Sequence, residues 1–154
     1  MNTIEASLRD HPLFADLEDA MLRQVARCAR TRHFDAGQYL FREGGPADAF
    51  FLVRQGLVAL EAHAPGGVAI LFSTLGTGEI VGASWLVPPY RWMFDARAST
   101  ATHVISVDAA CLRSQFETDH DLGYALMTRF LPAFVKRLHA TRLQMFDLYG
   151  GPTS

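Results

Sequence analysis

The chain has 154 residues, 49% of them apolar and 19% charged, with a net charge of −2 and a pI near 6.3. That length supports one packed core and leaves no room for a second, while the acidic balance argues against a surface built to hold phosphate backbones. No run approaches the ~18 apolar residues a membrane span needs, so a soluble, cytoplasmic protein with no membrane or direct nucleic-acid partner is expected.

Asp16 is placed to cap a first helix, whose apolar positions Leu17, Met21, Leu22, Val25, Ala26 and Ala29 recur at three- and four-residue spacing with Arg23, Arg27 and Arg30 outward. Cys28 and Cys111 both fall in stretches that read as helical and form no CxxC pair. A disulfide framework, a zinc site and an iron–sulfur cluster are therefore unsupported, and both residues read as buried thiols.

From Thr31 the periodicity changes to short extended runs divided by turn residues. Tyr39, Leu40 and Phe41 suit a pleated strand, Gly44, Gly45 and Pro46 stop it, and Phe50 to Val53 resume extended structure until Gly56. Leu57 to Ala64 and Val68 to Leu75, joined by Pro65, Gly66 and Gly67, read as a hairpin. About eight strands at this spacing predict a sandwich or barrel rather than alternating strands and helices. The loop from Gly82 to Trp92 is rich in aromatics and proline, and Trp85, Tyr90 and Trp92 can either line a pocket or fill one.

After Asp108 helix formers return, and a second helix is predicted from near Asp119 to Asp121 through to Tyr149, kinked or broken near Phe130 or Leu131 by Pro132. Leu131, Phe134, Leu138, Thr141, Met145 and Leu148 form a seam of alternating three- and four-residue steps, which predicts a homodimer through this helix. Arg129, Lys136, Arg137 and Arg142 read as its solvated face. The domain thus divides into helices over 1–30, a β-region over 31–108 and helices over 109–149.

Catalytic chemistry has little footing. His11, His33, His63, His103, His120 and His139 show no paired metal-ligand spacing, and neither a nucleophile turn nor a phosphate-binding loop appears. His33, His63 and His103 fall on predicted strands and could meet in space, and Asp119 and Asp121 suit a helix start.

Phe41-Arg42-Glu43-Gly44, then Asp48 to Val53 and Gly56, together with Gly78-Glu79-Ile80-Val81-Gly82, resemble the β-roll and the phosphate-binding cassette of the cyclic-nucleotide-binding domain of catabolite-activator (CRP/FNR) regulators. The resemblance covers nearly the whole chain and implies a mainly β double-stranded roll, or jelly roll, with a long C-terminal helix. It also implies a regulatory rather than enzymatic role, and a cyclic nucleotide or another small anion as ligand with no firmly expected cofactor. In that family a cassette glutamate meets the ribose hydroxyl and an arginine meets the cyclic phosphate. Here Ala83 stands at the glutamate position, and Trp92 or Met93 at the arginine position, with Arg91 beside it. The ligand set the resemblance implies is Gly82, Ala83, Ser84, Arg91, Trp92, Arg97, Thr141 and Arg142.

Family members that bind DNA continue into a helix-turn-helix, whereas this chain ends at Gly150 to Ser154. The resemblance therefore implies a standalone sensor that does not bind cyclic AMP in the usual way. The alternatives are a ligand-free module for a protein partner, its pocket filled by aromatics, or a transcription regulator lacking its DNA-binding part.

Overall fold

A computed structural model describes the backbone of residues 3–149 and the side chains of residues 3–140. Eight strands among the described residues form two antiparallel sheets facing each other across the core. The first has the order β1 (Ala29–Phe34), β8 (Thr102–Asp108), β3 (Ala49–Gln55), β6 (Ile80–Val81). The second has the order β2 (Tyr39–Phe41), β7 (Asp95–Ala98), β4 (Val58–His63), β5 (Ala69–Leu75). The stretch from Tyr39 to Gly56 thus feeds one strand to each sheet around its glycine corner, which is why β2 and β3 do not pair with each other. The β4–β5 hairpin lies within a residue of its expected place, closed by the Ala64 N–H on the Val68 carbonyl at 2.9 Å and the Gly67 N–H on the Ala64 carbonyl at 3.0 Å.

The helices are α1 (Thr3–Asp10), α2 (Asp19–Ala26), α3 (Ala109–Thr118) and α4 (His120–Tyr149). Three expectations are corrected. The first concerns the helix expected from Leu17 to Arg30, which begins and ends elsewhere. Glu18 precedes α2 without a side-chain cap, and the Asp16 carboxylate pairs with Arg129 at 3.1 Å. Arg30 is a strand residue, because residues 29–34 pair along the whole edge of β8, and that ladder satisfies more backbone groups than another helical turn.

Second, α4 runs through Pro132 without a break. The lost donor would have served the Thr128 carbonyl, and both residues face solvent, where water replaces the missing bond. Asp119 does open α4 as expected, its Oδ1 accepting the Leu122 N–H at 3.1 Å.

Third, Cys28 and Cys111 form a disulfide across 83 residues of sequence. Cys28 lies in the turn between α2 and β1, and Cys111 in the first turn of α3. β1 and α3 start side by side because the Asp108 N–H donates to the Cys28 carbonyl at 2.8 Å.

No helix among the described residues is long and apolar enough to cross a membrane. The core has two aromatic layers divided by β3. Phe51 faces between the sheets, toward Phe34 and Phe41, whereas Phe50 faces the helices and stacks on Trp85 at 4.6 Å, with Phe130 edge-on at 5.3 Å. Consecutive strand residues point to opposite faces, so this one dipeptide joins both layers.

Gly56 is the tightest corner, with φ at 104° and a hypothetical Cβ only 2.5 Å from the Ala101 carbonyl oxygen. Gly37 also has positive φ, at 92°, but open space around it. Gly56→Ala is therefore expected to destabilise by about 3 kcal/mol, combining left-handed strain with overpacking, and Gly37→Ala by only about 1 kcal/mol. Urea unfolding of the two variants side by side checks the difference.

Candidate functional site

The glycine corner determines what lies inside the roll. The Gly44 N–H donates to the Trp92 carbonyl at 2.8 Å, the Trp92 N–H to the Gly45 carbonyl at 2.9 Å, and the Ala47 N–H to the Tyr90 carbonyl at 2.8 Å. This short ladder orients residue 92 inward, and its neighbour outward by the alternation of extended chain. Trp92 is 3% exposed and stacks flat on Phe41, with 3.6 Å between centroids and 8° between planes. Phe94, Phe51 and Phe72 complete the cluster.

On the cassette side, Gly82 has φ at 106°, and a Cβ there would sit 2.8 Å from the indole. Only glycine accommodates both that backbone and the ring. The indole therefore occupies the space between Gly82 and β2.

The remaining expected site residues do not converge on that space. Arg91 is exposed, its guanidinium 3.4 Å from the Gly44 carbonyl. Ala83 and Ser84 start a three-residue 3-10 turn, Ser84–Leu86, too short to act as a helix dipole. Its Trp85 faces the helices, donating from Nε1 to the Gly82 carbonyl at 3.2 Å. Tyr90 lies under Arg113, 4.3 Å from ring centroid to guanidinium. Thr141 and Arg142 lie outside the residues whose side chains are described.

Arg97 is committed elsewhere, as one half of a bidentate pair with Glu61 at 2.9 and 3.0 Å. The Arg97 hydrogen bond holds the Glu61 carboxyl below its ordinary value against the opposing effect of burial, and the same pair raises the Arg97 guanidinium further. Beside it Asp95, 2% exposed, accepts the Glu43 N–H at 2.7 Å and lies 3.0 Å from His63 Nδ1. Of the three strand histidines, His33 and His103 meet, with rings 4.6 Å apart, whereas His63 sits in the other sheet. The described residues contain no cluster of three or more metal-ligating side chains.

An open space missed by sequence reasoning lies beside α4. It is a cleft of about 380 Å³ between the turn at His11 to Leu13, strand β5 and the helix, and its charged lining is Glu79, Lys136 and Arg137. Arg137, whose place in the sequence suggests a solvated charge, reaches inward and donates to the Ile80 carbonyl. Burial lowers its guanidinium, partly offset by Glu79. Burial likewise holds the His11 imidazole below the usual histidine range, with a weaker opposing effect of the Glu79 backbone.

A family model described as the cyclic nucleotide-binding domain matches residues 31–119. An NTE family protein of Mycobacterium bovis is 34% identical over 79 residues, 49% of this chain and 12% of its own. The CRP-like cAMP-activated global transcriptional regulator of Mycobacterium tuberculosis is 24% identical over 136 residues, 88% of this chain and 59% of its own. The chain thus spans only 12% to 59% of the length of these two relatives. A crystal structure of a protein described as cyclic nucleotide-binding, from Geobacter metallireducens, superposes with a TM-score of 0.78 at 30% identity, covering 90% of this chain and all of that one.

Two outcomes follow from the geometry. Trp92→Ala is expected to destabilise by about 3–5 kcal/mol, whereas Met93→Ala, at an exposed neighbour, changes stability by less than about 0.5 kcal/mol, both read by urea unfolding. The Glu61 pair contributes stability above the unfolded-state value near 4.5 and loses it as pH falls through the lower folded-state value. Glu61→Gln should therefore flatten the fall in Tm below pH 4.5 relative to the native chain.

Proposed function

The chain belongs to the cyclic nucleotide-binding domain family, and on that premise we propose that it is a regulatory module whose nucleotide space is filled by its own Trp92. The observation that carries this reading is the indole stacked on Phe41 and pressed against Gly82. A cyclic phosphate entering beside Gly82 would have to displace a buried ring from its aromatic cluster. It would also find no guanidinium there, since Arg91 points outward and Arg97 is held by Glu61. Ala83 offers nothing to a ribose hydroxyl. Regulation then runs through protein contacts and through the helix layer rather than through cyclic AMP bound in the roll.

The cleft beside α4 favours a second reading, a small anionic ligand held near Lys136 and Arg137, with Glu79 limiting the positive charge. A ligand there would bias the module by binding one placement of α4 against the roll more tightly than another.

Dimerisation through α4 belongs to the same proposal. Leu131 and Leu138 are 63% and 61% exposed, and Tyr124 and Val135 lie with them along one stripe at seven- and four-residue steps. Phe134, which the sequence seam included, instead turns inward against Phe130. Val135 takes its place on the outer face.

Titration calorimetry with cyclic AMP and cyclic GMP is expected to give no saturable heat up to about 1 mM, a limit at which binding would be worth only about −4 kcal/mol. Micromolar binding would overturn the filled-pocket reading, and heat from a small carboxylate or phosphate that is lost in Lys136→Ala would favour the second. Sedimentation should report twice the chain mass of 17.0 kDa, falling to the single mass in Leu131→Asp/Leu138→Asp. A native chain sedimenting at the single mass would contradict the dimer.

A further inference from the structure

The Cys28–Cys111 disulfide lies outside everything described so far as a site. It forms part of the wall of an open depression of about 680 Å³, which Arg27, Arg30 and Arg32 also line, together with Asp48 and Asp108. One of the two carboxylates is already engaged, since Asp108 Oδ1 accepts the Cys111 N–H at 2.7 Å. Three guanidinium groups on adjoining segments thus face two carboxylates, which leaves the lining with a net charge of +1.

Each sulfur has its own means of carrying negative charge. Gln115 Nε2 lies 3.0 Å from Cys28 Sγ, and Cys111 sits in the first turn of α3, at the positive end of the helix dipole, where the Ala109 N–H donates to the Asp48 carbonyl and the Cys111 N–H to Asp108 Oδ1. Cationic neighbours, hydrogen bonds and a helix start all favour a thiolate over a thiol. A bond serving only as a brace needs none of these.

We propose that Cys28–Cys111 is a thiol–disulfide exchange site for a small thiol that carries carboxylates. The incoming thiolate, drawn by the arginines, attacks Sγ of Cys111, the more exposed of the two residues. The bond between the cysteines breaks, its electron pair leaves on Cys28 Sγ, and the Gln115 N–H holds that thiolate. A second thiolate attacks the outer sulfur of the mixed disulfide and expels Cys111 as a thiolate at the helix start. Two small thiols are thereby oxidised to one disulfide while the protein disulfide is reduced by two electrons, and the small disulfide drives the reverse.

Exchange would cut the covalent tie between the start of β1 and α3. Because α3 leads through Asp119 directly into α4, the redox state would set how firmly the roll holds the helix layer. This inference does not depend on whether the roll or the cleft takes a ligand.

The test measures reduction of the intact oxidised chain by glutathione and by the neutral 2-mercaptoethanol, with acid quenching, alkylation and peptide mass spectrometry. Both rates are normalised to the same thiols acting on a simple model disulfide. Exchange is expected in the folded chain, with a normalised rate at least about threefold higher for glutathione, an advantage lost at high salt and in Arg30→Ala/Arg32→Ala. Treated with glutathione disulfide, Cys28→Ser should accumulate glutathione on Cys111, with release of one glutathione thiol. A disulfide that yields only when circular dichroism shows unfolding would overturn the proposal. So would equal normalised rates for the two thiols, and a chain isolated with both thiols free that glutathione disulfide cannot oxidise. The native-chain arms decide the matter even if the cysteine variant fails to fold.

Discussion

The stack of Trp92 on Phe41 is the contact around which the rest of the roll is arranged. The two rings stabilise the roll chiefly through the apolar surface they bury, but the position of this pair matters more than its strength. It fixes the distance between β2 and the cassette turn and requires glycine at residue 82. On the function proposed above, it also takes up the space that a nucleotide would need. The ladder from Gly44, Gly45 and Ala47 to residues 90–92 holds the ring there, so the corner that ends β2 and the loop that fills the roll act as one unit.

Much of this was legible in the sequence, because glycine and proline carry conformational information locally. Gly56 and the Pro65 to Gly67 turn act through their own backbone and Asp119 through a carboxylate three residues from the N–H it caps, so the strands and α4 lie close to their expected places. The sequence also puts Ala83 at the family's glutamate position and Trp92 or Met93 at its arginine position. Which aromatic would fill the roll was not legible, since that depends on which side of an extended segment faces in. Trp92 went inward, and Trp85 joined the helix layer.

What escaped the sequence involved partners far apart along the chain. Cys28 and Cys111 are separated by 83 residues and meet only because β1 pairs with β8, which runs directly into α3. Glu61 and Arg97 lie diagonally across β4 and β7, and each engages the other's charge. Arg137 reads as a solvated charge on a helix, yet it donates to the Ile80 carbonyl at the start of β6 and lines a cleft. Phe134 fitted the heptad spacing, but Phe130 drew it into the core. A seam read from spacing alone cannot tell which side of a helix the rest of the domain will cover.

The central claim, that the indole of Trp92 permanently occupies the nucleotide space, is tested most directly by its own fluorescence. The chain has two tryptophans, so Trp85→Phe leaves Trp92 as the sole emitter. The account predicts blue-shifted emission, protected from acrylamide and unchanged by about 1 mM cyclic AMP, where even binding worth only −4 kcal/mol would register. Red-shifted, quenchable emission in the folded variant, or a saturable change as cyclic AMP is added, would contradict it.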